Sequence, residues 1–180
     1  MLKTFKIIGI AIVVLIVGVL AFAATKPDNF RVQRSTSIKA PPEKISAVLS
    51  DFRAWDAWSP WEKVDPKMQR TYSGEPRGKG ARYAWAGNSE VGEGSMTITE
   101  AQPSRVALDL DFVKPFEGHN KVVFTLAPKG DATEVTWDMQ GPSPYITKVI
   151  QVFCDMDGMI GKQFEAGLAD LKSLAEKGRP

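Results

Sequence analysis

Hydrophobic and polar positions follow a different rule in each part of this chain. From Ile7 to Ala24 (IIGIAIVVLIVGVLAFAA) no side chain is charged or polar. Residues 30 to 39 then alternate, with Val32, Thr36 and Ile38 on one side and Arg31, Gln33, Ser35 and Ser37 on the other, as in a half-buried strand. Ala40-Pro-Pro-Glu43 predicts a helix start, because proline suits a first turn and a carboxylate complements the dipole there. Ile45, Val48, Leu49 and Phe52 follow at helical spacing. A break near Asp51 leads to a second short helical segment that carries Trp55 and Trp58 to a stop at Pro60.

From Gln69 the period is two. Strands are predicted near Gln69 to Gly74, Ala81 to Ala86, Glu93 to Ala101, Arg105 to Val113, Asn120 to Ala127 and Thr133 to Gln140, with turn residues between them. Gly141-Pro142-Ser143-Pro144 ends the strands and caps one long C-terminal helix. Its apolar stripe runs through Ile146, Val149, Ile150, Phe153, Met156, Ile160, Phe164, Leu168, Leu171 and Leu174. This order makes the fold α+β, a curved antiparallel sheet of about seven strands around a long helix.

The apolar run at the N-terminus divides the chain into an anchor or signal peptide over residues 1–26 and a folded domain over 27–180. At about 1.5 Å per residue the run reaches about 27 Å, close to the hydrocarbon thickness of a bilayer. Ala21-Phe22-Ala23 has the small-x-small pattern of a cleavage site, but the run exceeds the usual length of a signal core, which favours an uncleaved single-pass anchor. Lys3 and Lys6 ahead of the run place the domain on the extracytoplasmic (periplasmic) side, and cleavage would make it a secreted protein.

Charge and reactive residues narrow the function. The chain carries 23 basic and 21 acidic residues, and the first 24 residues contribute Lys3 and Lys6 without an acid, so the domain is balanced. A balanced domain without a basic patch excludes nucleic acid as the expected partner. Cys154, the single cysteine, cannot form an intrachain disulfide, and apolar neighbours predict a buried thiol. His119, the single histidine, falls at a turn with no charge partner in view, and one histidine with one cysteine cannot make a metal site. Asp109 and Asp111 alternate with Leu108, Leu110 and Phe112, which puts both on the solvated face. No cofactor fingerprint is present; Gly78, Gly80, Gly92 and Gly94 read as turn or bulge glycines.

Several stretches also carry a resemblance: Phe30-Arg-Val-Gln-Arg-Ser-Thr-Ser-Ile-Lys-Ala-Pro-Pro-Glu43, Asp51-Phe-Arg-Ala-Trp55, Trp58-Ser-Pro-Trp61, Asp65-Pro66, Tyr72-Ser-Gly74, Met156-Asp157-Gly-Met-Ile-Gly161 and Phe164-Glu165. Together they resemble the polyketide cyclase/dehydrase-type branch of the START-like (SRPBCC) superfamily. The resemblance implies the helix-grip arrangement, in which the sheet holds the C-terminal helix and a cavity remains between them. The superfamily includes lipid carriers, cyclases and hormone receptors, so the fold alone does not choose among them.

Alternation turns Tyr83, Trp85, Met96, Ile98, Leu110, Phe112, Phe124, Trp137 and Met139 inward, to face Phe153, Met156 and Ile160 on the helix. Trp58 and Trp61 stand where a lid would be, serving core packing or ligand contact. This soft aromatic and methionine lining suits a hydrophobic small molecule or lipid, bound without covalent catalysis. Two other readings stay open. One is a cyclase- or hydrolase-like enzyme using Asp155, Asp157 or Glu165 with Tyr83; the other is an interaction module with a filled core and an exposed patch of Trp58, Trp61 and the Pro115-Phe116 loop. Gly158 and Gly161 mark either a packing constraint on the helix or room for a ligand beneath it.

Overall fold

The computed structural model describes residues 2–177, with the side chains of residues 2 and 3 left aside, so the orientation argument from Lys3 lies outside it. Seven strands form one antiparallel sheet in the order β1-β7-β6-β5-β4-β3-β2. They are β1 (Asn29–Ile38), β2 (Gln69–Gly74), β3 (Ala81–Ala86), β4 (Glu93–Gln102), β5 (Arg105–Lys114), β6 (Gly118–Lys129) and β7 (Ala132–Pro142). Each predicted strand is present, and the later ones run further into their hairpins because antiparallel pairing continues until the turn forces it open. The N-terminal strand pairs with the last one, Asn29 opposite Pro142 and Ile38 opposite Thr133.

Between β1 and β2 the chain makes α2 (Pro42–Leu49), a 3₁₀ turn over Phe52–Ala57 and α3 (Trp61–Val64). Asp51 caps the 3₁₀ turn by accepting from the Arg53 amide. The 3₁₀ turn ends at Ala57 with Trp58 as its C-cap, ahead of the expected stop at Pro60, and Pro60 instead starts α3 as its N-cap.

The single long C-terminal helix of the sequence reading is two helices, α4 (Tyr145–Phe153) and α5 (Met156–Glu176). Cys154 is extended (φ −121°, ψ 130°), and the Asp155 carboxylate caps α5 by accepting from the Gly158 amide at 2.9 Å. A strong local cap competes with helix continuation, and here it wins. Gly158 is part of that device, because a Cβ there would stand 2.3 Å from Asp155 Oδ2. The break divides the apolar stripe. Cys154 is exposed at the joint, contrary to the buried thiol expected from its neighbours.

α5 lies in the sheet's concave face, where Phe164 stacks on Trp137 with ring centroids 4.1 Å apart and planes 6° apart. Trp58 crosses Trp137 edge-on at 5.5 Å and Phe124 at 6.1 Å, and Phe164, Leu168 and Leu171 are fully buried beside them. Gly161 answers the question left open by the sequence in favour of packing. Its missing side chain admits the Arg34 guanidinium, which pairs with Glu165 at 2.9 Å and Asp157 at 3.0 Å.

α1 (Leu2–Ala24) stands apart from this core; among its described side chains Ala23 is buried and Val19 half-buried, and the others are exposed. Its segment Thr4–Ala24 contains an 18-residue window with a mean hydropathy of 3.1 and is long and apolar enough to cross a membrane. One bond ties α1 itself to the domain, Tyr145 donating to the Leu20 carbonyl (2.8 Å), and two tie the connecting segment after it, the Ser143 amide donating to the Asp28 carbonyl (2.7 Å) and Lys148 pairing with the Asp28 carboxylate (2.5 Å).

Gly167 faces Trp137 and Pro60, where a Cβ would come within 2.9 Å and 3.0 Å of packed rings. Gly167→Val should therefore lower the stability of the domain by about 1–3 kcal/mol through overpacking. The urea midpoint checks this; an unchanged midpoint would mean that α5 is not seated against Trp137 as described.

Candidate functional site

A cavity of about 610 Å³ lies between the sheet, α3 and the first turns of α5, within the size range of small-molecule sites. Of the residues expected to line it, Trp61, Tyr83, Trp85, Met96, Phe112, Trp137, Met139, Met156 and Ile160 do so. Trp58 and Phe124 do not; they are completely buried in the aromatic core behind the lining. Phe153 is also a correction. It is 72% exposed on α4, because the helix break at Cys154 and Asp155 takes that residue off the inward stripe.

The aromatic wall is held by identifiable contacts. The Trp85 indole donates to the Val91 carbonyl at 3.0 Å and meets Phe112 edge-on at 5.8 Å. Gly94, opposite Trp85 across the β3–β4 pair, leaves the space the indole occupies, since a Cβ would sit 2.5 Å from the ring and 2.5 Å from the Asp111 carbonyl. Trp61 crosses both Trp137 and Phe164, at 5.6 Å and 6.0 Å, and so joins α3 to the floor of the cavity.

One corner of the cavity is polar, and sequence reasoning missed it. Glu62 on α3 has a side chain only 8% exposed. One carboxylate oxygen accepts from the Tyr83 hydroxyl at 2.6 Å and the other from Arg70 Nε at 2.7 Å, while Arg70 also donates to the Met68 carbonyl at 2.8 Å. A buried carboxylate needs such partners. Burial first, and then the bond to Glu62 and its charge, push the Tyr83 hydroxyl well above the ordinary tyrosine range, so it remains a donor. Glu62 carried no periodic signal, because its partners lie on β2 and β3 and meet it only when α3 folds over the sheet.

His119 is a further correction. It lies in β6 opposite Asp111, not at an unpaired turn, and its Nδ1 is 2.7 Å from Asp111 Oδ1. That bond raises its pKa above the usual histidine value. With exposed Phe116 and Glu117 it marks the cavity mouth, which Phe30, Pro142, Pro144 and Thr147 complete; the sequence reading named none of these as lining.

The acids considered for catalysis are elsewhere: Asp155 caps α5, Asp157 and Glu165 hold Arg34, and none belongs to the lining. Among the described residues no three His, Cys, Asp or Glu side chains are grouped as a metal ion would require. Nor do Trp58, Trp61 and the Pro115-Phe116 loop make one surface patch, since Trp58 is buried.

No curated protein matches this chain. Solved structures do, at identities that establish the fold alone. A protein from Chromobacterium violaceum is 18% identical with a TM-score of 0.58, covering 84% of this chain and 99% of that one. A protein from Mesorhizobium loti is 16% identical with a TM-score of 0.60, covering 84% of this chain and 100% of that one. A protein from Rhodobacter sphaeroides is 19% identical with a TM-score of 0.60, covering 83% and 93%. The helix-grip architecture and a family profile matching residues 29–176 together show that the chain belongs to the family described as polyketide cyclase / dehydrase and lipid transport.

Proposed function

We propose that this chain binds a hydrophobic small molecule or lipid in the cavity, without covalent chemistry of its own, and that α1 anchors the domain at the membrane on its extracytoplasmic side. The observation that carries this reading is the cavity itself, about 610 Å³ walled mainly by aromatic and methionine side chains, with the Glu62 corner and buried Ser59 and Asn120 as its polar points. Apolar walls supply affinity by removing ligand surface from water, and methionines adapt to its outline. The Glu62 corner favours binding over acid–base catalysis, because both carboxylate oxygens are already engaged by Tyr83 and Arg70. A ligand with an apolar body and one hydrogen-bonding end fits these walls.

Native mass spectrometry of the exported domain from Thr25 onward, followed by solvent extraction, is expected to reveal a stoichiometric apolar adduct. A clean apo mass with no uptake from a membrane extract would overturn the reading. With a fluorescent fatty acid as probe, Trp85→Ala should weaken binding about tenfold through lost apolar contact. Met96→Trp, which fills the space, should weaken it at least as much; two variants that bind like the parent would remove the cavity as the binding site.

The polar corner has its own signature. Because the Tyr83 pKa is raised on folding, the stabilisation from its protonated hydroxyl is fully present below the ordinary tyrosine value and is lost only as pH climbs through the raised one. In an alkaline absorbance titration the last tyrosine to ionise should be absent in Tyr83→Phe, and Glu62→Gln should move it to lower pH. Ionisation of Tyr83 near pH ~10 in the folded protein would show that Glu62 does not hold it.

A further inference from the structure

The helix α4 is turned inside out for a protein surface in water. Lys148, its only charged residue, is buried with a side chain 10% exposed, its ammonium on the Asp28 carboxylate. Ile146, Ile150 and Phe153, which follow at i, i+4 and i+7, share the outer face and are 56%, 38% and 72% exposed. Tyr145 is exposed at the start of the same helix. A solvated helix packs such an apolar stripe inward and leaves its lysine in water.

What covers this face is indicated by its neighbour. The hydroxyl of Tyr145 bonds to the carbonyl of Leu20, inside the Thr4–Ala24 segment and four residues from its end. At about 1.5 Å per residue this contact lies about 6 Å within that segment. If α1 crosses the bilayer, α4 is therefore at the depth where acyl chains meet headgroups, about 5–10 Å into the boundary, where amphipathic interfacial helices settle. Tyrosine is also enriched at that level. The Asp28 bonds to Ser143 and Lys148 hold α4 at this height. Pro144 and Thr147 of the same segment line the cavity mouth beside exposed Phe116.

We propose that α4 is an interfacial helix whose Ile146, Ile150 and Phe153 face lies in the lipid at the C-terminal end of α1, seating the domain on the bilayer with its cavity mouth at headgroup depth. The proposal rests on α1 being a retained anchor and is independent of what the cavity holds.

Cys154, exposed and directly after Phe153, provides the test. The full chain is labelled there with an environment-sensitive fluorophore and reconstituted in phosphatidylcholine vesicles. Shallow nitroxide lipids should quench the label and aqueous iodide should not. Arg77→Cys in a Cys154→Ser background places the label on the β2–β3 loop, at the far end of the sheet from Asn29 and Pro142, where iodide should quench it and lipid should not. Ile150→Asp with Phe153→Asp, both at exposed positions, should return the Cys154 label to iodide while the chain still floats with vesicles. The proposal is overturned if the Cys154 label of a vesicle-bound chain is as open to iodide as the Arg77→Cys label. It is equally overturned if the label is shielded from iodide without lipid quenching, which would mean that another protein copy covers the face. Release of the chain by an alkaline wash would remove the anchor and this proposal together, while the adduct measurement would still judge the cavity.

Discussion

The flat stack of Phe164 on Trp137 is the contact on which the rest of this structure depends. It joins α5, the helix that fills the sheet's concave face, to the middle of β7, and Gly167 lets the two approach. Trp58 and Trp61 then crowd edge-on around the pair, and Phe124 lies tilted against Trp137. The indole nitrogens of Trp58 and Trp137 are buried with no nitrogen or oxygen partner, so this cluster is held by apolar area and ring geometry alone. Such a plug is dense on the side toward Leu168 and Leu171.

The cavity exists because the plug occupies only part of the sheet's hollow. Toward the start of α5, Met156 and Ile160 replace the larger rings, and the Asp155 cap turns the preceding chain away as α4. Had the helix run on, Phe153 and Ile150 would have continued the stripe over the cavity mouth. The same break therefore opens the cavity and places an apolar helix face outside the domain, beside α1. A local hydrogen bond between the Asp155 carboxylate and the Gly158 amide thus has two consequences at a distance.

The interior polar corner is a different kind of feature. Glu62 and Tyr83 are buried among apolar groups with half-buried Arg70 beside them, and the three satisfy one another, which makes the corner rigid and specifies how α3 sits over β2 and β3. Arg34, clamped by Asp157 and Glu165, does a comparable service between β1 and α5, nearer to solvent. In both places side chains that read as ordinary surface charges decide the spacing of elements.

The sequence by itself determined the α+β order, the seven strands with nearly their full extents, the apolar N-terminal helix and most of the inward wall, including Tyr83, Trp85, Met96 and Met139. These follow from periodicity, and a period of two or of 3.6 is a local property that a core can only reinforce. The tertiary structure alone decided which aromatic side chains became core and which became lining, since Trp58 and Trp61 are alike in sequence and differ in what packs on them. It also decided the Glu62 corner and the Asp111 pairing of His119, which join residues from different elements. The division of the last helix lay between these cases: Asp155 and Gly158 were visible, but a mid-stripe cap competes with continued helix, and α4 was drawn aside by its bonds to Asp28 and Leu20. Contacts between distant segments leave no period behind them, and for that reason they could be seen only once the chain was folded.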